Sequence, residues 1–247
     1  MNELIERAVE VSQRAQRNYD LSKSVAEEDL LTLIYAATKS PSKQNETHYS
    51  LYVYTDPAII NEIYDTTKLF SLGRSLGAYS LEGMFKDENG EFWQDTSRSV
   101  HNSQILSNVL FVFVEEHGTA RNGNSILAQQ QKDPNSESYK IYMEQINFSI
   151  GIAVGELILS AGLLGYKTGI CSAFPKIDVK HIIKSNGLPK LLVGVGFENI
   201  GVDRRLHART LNRDLPEEFR NGPAEEFWRF PSADKYVRVK LNGEVIK

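Results

Sequence analysis

At 247 residues, with 41% hydrophobic and 24% charged residues and ordinary glycine and proline content, the chain has the make-up of one large globular domain, not of a disordered or disulfide-stapled one. A formal net charge of −4 argues against a nucleic-acid footprint, which needs a concentrated basic face. The single cysteine, Cys171, excludes an internal disulfide, and the acidic opening Met1-Asn2-Glu3-Leu4-Ile5-Glu6 lacks the basic-then-apolar design of a secretory leader, so the expected compartment is the cytoplasm.

Leu4, Ile5, Ala8, Val9 and Val11 recur at helical spacing among charges, which predicts an amphipathic first helix over 3–17. Ser24 with Glu27 three residues on has the form of a capping box, opening a second helix that Pro41 stops near Ser40. Aromatic and β-branched residues predict a strand over Tyr49–Tyr54. Asp56-Pro57 then places an N-cap and a first-turn proline ahead of Ala58, Ile59, Ile60, Ile63 and Tyr64.

From Phe70 to Trp93 the pattern breaks into Gly73, Gly77, Gly83 and Asp87-Glu88-Asn89-Gly90, a loop-rich insertion. Ser99–Leu106 is expected to be helical and Val109–Val114 a strong strand. Gly118–Asn135, polar and glutamine-rich, is expected to be an exposed excursion. The last two strands fall at Tyr166–Cys171 and Leu191–Gly196, separated by a helix starting near Asp178 and ending at Ser185-Asn186-Gly187. The tail after Leu215 is aromatic and charged, like an arm packed on another surface. The expected organisation is one domain over 1–247, with an excursion over about 66–143 and an arm over about 215–247.

Ile146 to Leu164 carries one charge, Glu156, and is long enough to cross a bilayer. A charge near its centre costs roughly 2.5–3.5 kcal/mol on insertion scales, and Gly151, Gly155, Ser160 and Gly162 dilute the segment, which favours the core spine of a globular particle. Gly151 and Gly155, four apart, offer bare backbone to a second helix, as at a two-fold interface.

Several chemistries are excluded by pattern. Gly194-Val195-Gly196 follows a strand, but the third glycine of a dinucleotide fingerprint would fall at Asn199. There is no phosphate-loop lysine motif, no nucleophile-elbow serine and no His-Glu-x-x-His, and the histidines are scattered, so no metal centre is expected. Cys171 at a strand end reads as a small buried hydrophobe.

What remains are groups suited to an anionic, flat, polar-edged ligand. Arg14 and Arg17 lie near the first helix, and Arg204, Arg205 and Arg209 follow the last strand; the guanidinium fork suits phosphate and carbonyl oxygens. Ser40-Pro41-Ser42-Lys43-Gln44-Asn45 offers hydroxyls, an amide and backbone donors at a helix-to-strand turn.

The order of these elements resembles a known family. Gln13-Arg14-Ala15-Gln16-Arg17-Asn18-Tyr19 resembles the Arg-Arg-Ser-x-Arg-x-Phe start of the nitroreductases, and Ser40-Pro41-Ser42-Lys43-Gln44-Asn45 resembles their Ala-Pro-Ser-x-x-Asn element. Ser149-Ile150-Gly151 through Gly165-Tyr166 is similar to their central helix, and Leu192–Phe197 to their late strand. The resemblance implies an α+β fold with a central, mostly antiparallel sheet flanked by helices, in an intertwined homodimer with FMN at the interface. It also implies NADH or NADPH as hydride donor, a small organic acceptor such as a nitroaromatic or quinone, a ping-pong cycle with no side-chain nucleophile, and no membrane partner. The alternative is a non-catalytic dimeric flavin-binding or interaction protein on the same fold.

Carried over by position, the resemblance gives Arg14 and Arg17 phosphate or ring-edge oxygens, with Gln13 and Ala15 beside them. Pro41, Ser42 and Asn45 would reach the other subunit's flavin, and Gln104 and Gln145 would be ring-facing polar groups. Cys171, Ser172 and Ala173 would present backbone to the reactive ring nitrogen, and Arg205 and Arg209 would meet the phosphate. The chain departs from the pattern where Gln13 and Ala15 replace arginine and serine, and where Glu46-Thr47-His48 replaces Gln-Pro-Trp.

Overall fold

The computed structural model describes residues 2–42, 45, 47–67, 102–115 and 133–201, with the backbone of the short strand segments Phe70–Ser71, Ser99–Val100, Lys240–Leu241 and Glu244–Val245. The expected loop-rich insertion, the polar excursion up to residue 132 and most of the 215–247 arm lie outside the described residues, as do Arg204, Arg205 and Arg209.

The helices are α1 (Glu3–Ser12), α2 (Glu27–Lys39), α3 (Pro57–Thr66), α4 (Glu137–Leu163) and α5 (Lys176–Ile183). The strands are β1 (Tyr49–Tyr54), β2 (Phe70–Ser71), β3 (Ser99–Val100), β4 (Val109–Glu115), β5 (Lys167–Cys171), β6 (Pro189–Gly196), β7 (Lys240–Leu241) and β8 (Glu244–Val245). Four strands form the central sheet in the order β1-β4-β6-β5, and every neighbouring pair is antiparallel. The fold is α+β.

β4 is buried along its whole length because both faces of the sheet are covered, which is why it reads as an unbroken apolar run. Val109, Phe111 and Phe113 point into a core with Leu33 and Ala37 of α2 and Ile146, Ile150, Ala153, Leu157 and Ala161 of α4. Leu110, Val112 and Val114 point the other way, onto Ile60, Ile63 and Tyr64 of α3 and Val179 and Ile183 of α5. The period-two alternation of the strand thus sorts its side chains between two cores. Pro189 opens β6 where its missing N–H costs least, beside a register shift at Phe113/Val114.

Several expectations on local structure are corrected. The first helix ends at Ser12, not at residue 17, because Gln16 N–H bonds to Thr168 O at 2.7 Å and draws the following segment along β5. The Ser24 capping box does not form: α2 has Ala26 at its N-cap with no side-chain cap, and Glu27, Glu28 and Asp29 in the first turn complement the helix dipole instead. Ser99–Leu106 is not a helix but strand β3 followed by a 3-10 turn at Ser103–Ile105. Asp56 does cap α3, accepting from Ala58 N–H at 2.8 Å, with Pro57 in the first turn.

The long apolar helix begins nine residues earlier than Ile146, at Glu137, where the Ser136 hydroxyl accepts from Tyr139 N–H at 3.0 Å. Its length and composition match a membrane span, but the core face described above is buried in the domain. It is not buried all round, as an interior spine would be. Ile141, Phe148 and Ile152, 44%, 68% and 44% exposed, form with Gly151 and Gly155 an uncovered outer stripe, and a Cβ at either glycine would meet nothing within 4 Å. The close helix contact is made elsewhere: a Cβ on Gly162 would stand 2.8 Å from Ala8 O of α1.

Candidate functional site

Gln13 is the C-cap of α1, and Arg14, Ala15 and Arg17 lie on the segment that leaves it and is fastened to β5 through Gln16. Gln16 is buried, its amide donating to Asn18 O, while Gln13 and Arg14 are exposed. The positive charge of Arg17 acts on both Tyr19 and Cys171, opposing the rise that burial gives each. A concavity of about 480 Å³ opens beside this segment, lined by Glu10, Val11, Gln13, Arg14, Gln16, Lys167 and Glu198. Lys167 and Glu198 pair across it at 3.2 Å.

Gln104 reaches the same place from the 3-10 turn. Its amide donates to Ile170 O at 3.2 Å, and its carbonyl accepts from Tyr19 OH at 3.3 Å. The turn can lie flat on the sheet because the strand residues beneath it are glycines. A Cβ on Gly169 would fall 2.6 Å from both Gln104 Cβ and Gln16 O, and one on Gly194 would fall 2.3 Å from Gln104 O. The Gly194-Val195-Gly196 pair that fails as a dinucleotide fingerprint therefore serves close packing, with Gly196 against Asn108 and Tyr19.

Cys171, Ser172 and Ala173 end β5, with the thiol buried and the two following residues exposed. Burial pushes the thiol up to about 11, against smaller opposing effects of the Ala173 backbone and of Arg17. A thiol so protonated and enclosed is no nucleophile. Burial likewise raises the Tyr19 phenol well above its ordinary value, with Arg17 opposing, and its hydroxyl donates to Gly194 O as well as to Gln104 O.

Pro41, Ser42 and Asn45 are not brought to this place. They follow α2 on the β1 side: Ser40 Oγ is 3.1 Å from Tyr49 OH, and Ser42 Oγ accepts from Thr47 N–H at 2.9 Å. Asn45 and Thr47 both take positive φ, 56° and 45°, which gives the turn its tight shape. Gln145 belongs to the same end, one turn of α4 before Ser149, whose hydroxyl lies 3.2 Å from His48 Nδ1. β1 and β5 are the two edges of the central sheet, three strand spacings or roughly 14 Å apart, and the two groups lie towards opposite edges.

Sequence reasoning missed Gln16, Asn102 and Lys167. Gln16 reads as a surface glutamine until its neighbours are known, and Asn102 fell inside a stretch expected to be helical. Among the described residues no cluster of His, Cys, Asp and Glu could hold a metal ion.

The model of the nitroreductase family matches residues 11–197. The chain belongs to the nitroreductase family. The match runs from the arginine segment through the 3-10 turn and the end of β5 to the last central strand, so it covers both residue groups described above. Solved structures agree on the fold. Nitroreductase A from Vibrio parahaemolyticus is 15% identical with a TM-score of 0.55, the match covering 81% of this chain and 68% of that one. NfrA1 nitroreductase from Bacillus subtilis is 14% identical with a TM-score of 0.54, covering 89% and 77%. An Exiguobacterium sibiricum protein, assigned as a nitroreductase and solved in complex with FMN, is 15% identical with a TM-score of 0.54, covering 82% and 90%. Comparison with curated proteins returns no match. The family makes the chain, in general terms, a flavin-type oxidoreductase.

Proposed function

We propose that this nitroreductase binds FMN in the seam between two copies of itself, and that it reduces a small organic acceptor, a nitroaromatic, quinone or related compound, with NADH or NADPH in a ping-pong cycle. The observation that carries the reading is the division of the site residues between opposite edges of one sheet. Within one chain a ligand touching both Arg14 and Ser42 would have to reach across the sheet, whereas a second chain could bring the two groups together, and the exposed stripe of Phe148, Ile152, Gly151 and Gly155 supplies an apolar surface for it. One chain's Pro41, Ser42, Asn45 and Gln145 would then face the other's Arg14, Arg17 and Gln104.

The donor set fits the group. Arg14 and Arg17 supply guanidinium forks for phosphate or ring-edge oxygens, with Gln13 and Ala15 alongside. The Gln104 amide suits a polar ring edge, and the exposed backbone at Ser172 and Ala173 allows close approach to a planar ring. Arg205 and Arg209 are proposed as further phosphate ligands on sequence alone. FMN, held by these residues, would supply the redox chemistry between the nicotinamide and the acceptor. The chain's part is to bind, orient and exclude water. Gln16 and Gln104 hold the two walls to β5, and the protonated Cys171 stays out of the chemistry. The cytoplasm, with its reduced nicotinamide, is the proposed compartment.

Purified protein should be yellow, or turn yellow with added FMN, and bleach under anaerobic NADH or NADPH. Colourless protein that takes up no FMN would overturn the reading. FMN uptake with no bleaching by either nucleotide would leave the non-catalytic alternative.

A further inference from the structure

The turn at the end of β5 is held from an unexpected direction. Ala173 O accepts two hydrogen bonds, one from Cys171 Sγ at 3.4 Å and one from the side-chain amide of Asn102. Asn102 is itself anchored: its backbone N–H donates to Thr67 Oγ1 at 3.1 Å, and that hydroxyl donates to Tyr64 O at 2.6 Å. Thr67 is fully buried just past α3, and Tyr64 is buried within it. A continuous chain of hydrogen bonds thus runs from the last turn of α3 through Asn102 to the carbonyl that follows Ser172.

Cys171 Sγ, a weak donor, cannot by itself fix the Ala173 peptide plane, whereas a primary amide can. The carbonyl belongs to the Ala173–Phe174 peptide, so its orientation fixes the ψ angle of Ala173 and through it how the adjoining Ser172–Ala173 backbone is presented to whatever lies over it. We propose that Asn102 is a positioning residue for the flavin: its amide locks the Ala173 carbonyl inward and so fixes the Ser172–Ala173 backbone against the ring. The proposal rests on the FMN reading above. Asn102 touches neither cofactor nor substrate in this role and acts only through Ala173.

Asn102→Asp tests it, because the carboxylate keeps the size of the side chain but removes the donor and places negative charge against a carbonyl. Asn102→Ala is the second variant, a truncation at a half-exposed position that the fold should tolerate. Amide hydrogen exchange on the purified wild type and variants, without added nucleotide, should be faster at residues 172–174 in both variants and unchanged in β4. With FMN bound, the flavin absorption band and midpoint potential should move, and anaerobic bleaching by NADH should slow roughly tenfold, the scale of one hydrogen bond, while the cooperative thermal transition is kept within a few degrees of wild type. Unchanged exchange at 172–174, or unchanged potential and bleaching in FMN-loaded variants, overturns the proposal. Wild-type protein that binds no FMN overturns the flavin reading itself, a result distinguishable because it precedes any variant.

Discussion

Gly169 lies directly beneath Gln104, so close that a Cβ on the glycine would stand 2.6 Å from the Cβ of the glutamine. The same Cβ would be 2.6 Å from Gln16 O, so neither the 3-10 turn nor the arginine segment could keep its seat. Gly169→Ala should therefore cost about 1–3 kcal/mol, the usual scale of overpacking. Urea unfolding should show the loss and FMN titration a weaker affinity; an alanine variant that matches wild type in both would contradict the packing account.

Phe148→Asp puts a charge into the exposed stripe of α4, at a side chain 68% exposed in the single chain. The subunit fold should survive, since that side chain contributes nothing to the two cores. Sedimentation should show a shift from dimer to monomer, with flavin lost in the same step. A variant that stays dimeric and yellow would place the interface elsewhere.

The Cys171 thiol, raised by burial to about 11, should be nearly unreactive in folded protein. At pH 8 its thiolate fraction is on the order of one part in a thousand. Because its folded value lies above the ordinary 9.0, it contributes stability below about pH 9 that is lost as pH rises through 11. Iodoacetamide should label unfolded protein quickly and native protein slowly, and Cys171→Ala should bleach with NADH as the wild type does. Fast native labelling at pH 8 would refute this assignment.

Tyr166 donates to Asp29 at 2.6 Å, tying the end of α4 to the first turn of α2. Burial first, and then the Asp29 partner, push its phenol up to about 12 from an ordinary 10.0. Between those values the unfolded chain holds fewer protons than the folded one, so stability is whole below pH 10 and falls as pH rises towards 12. Tyr166→Phe should cost about 1 kcal/mol near neutrality and flatten that alkaline decline, as followed by denaturant unfolding across pH. An alkaline limb identical in both proteins would assign the loss to other groups.

Much of the frame is written locally. Asp56-Pro57 carries its own N-cap and first-turn proline, and the short run Val109–Val114, rich in β-branched and aromatic residues, reads as a strand covered on both faces. Other features were settled at a distance. Nothing near Ser99–Leu106 says that Gly169 and Gly194 will clear a floor for a turn there, and the arginine segment leaves its helix where Thr168 O, far along the chain, offers a partner. The start of α4 was hidden because Glu137–Gln145 is polar enough to read as loop until Ser136 is seen as its cap. For the candidate site, residue types and order were legible, as the family match over 11–197 shows, but their division between two sheet edges required coordinates.

That division has a genetic consequence. If each pocket borrows Arg14 and Arg17 from one parent chain and Ser42 and Asn45 from the other, two individually dead alleles, each missing one half, need not be dead together. In a hybrid of the two, the defects fall on the same pocket and the opposite pocket inherits both sound halves, so equal mixing with random subunit exchange should restore about a quarter of the colour that neither holds alone.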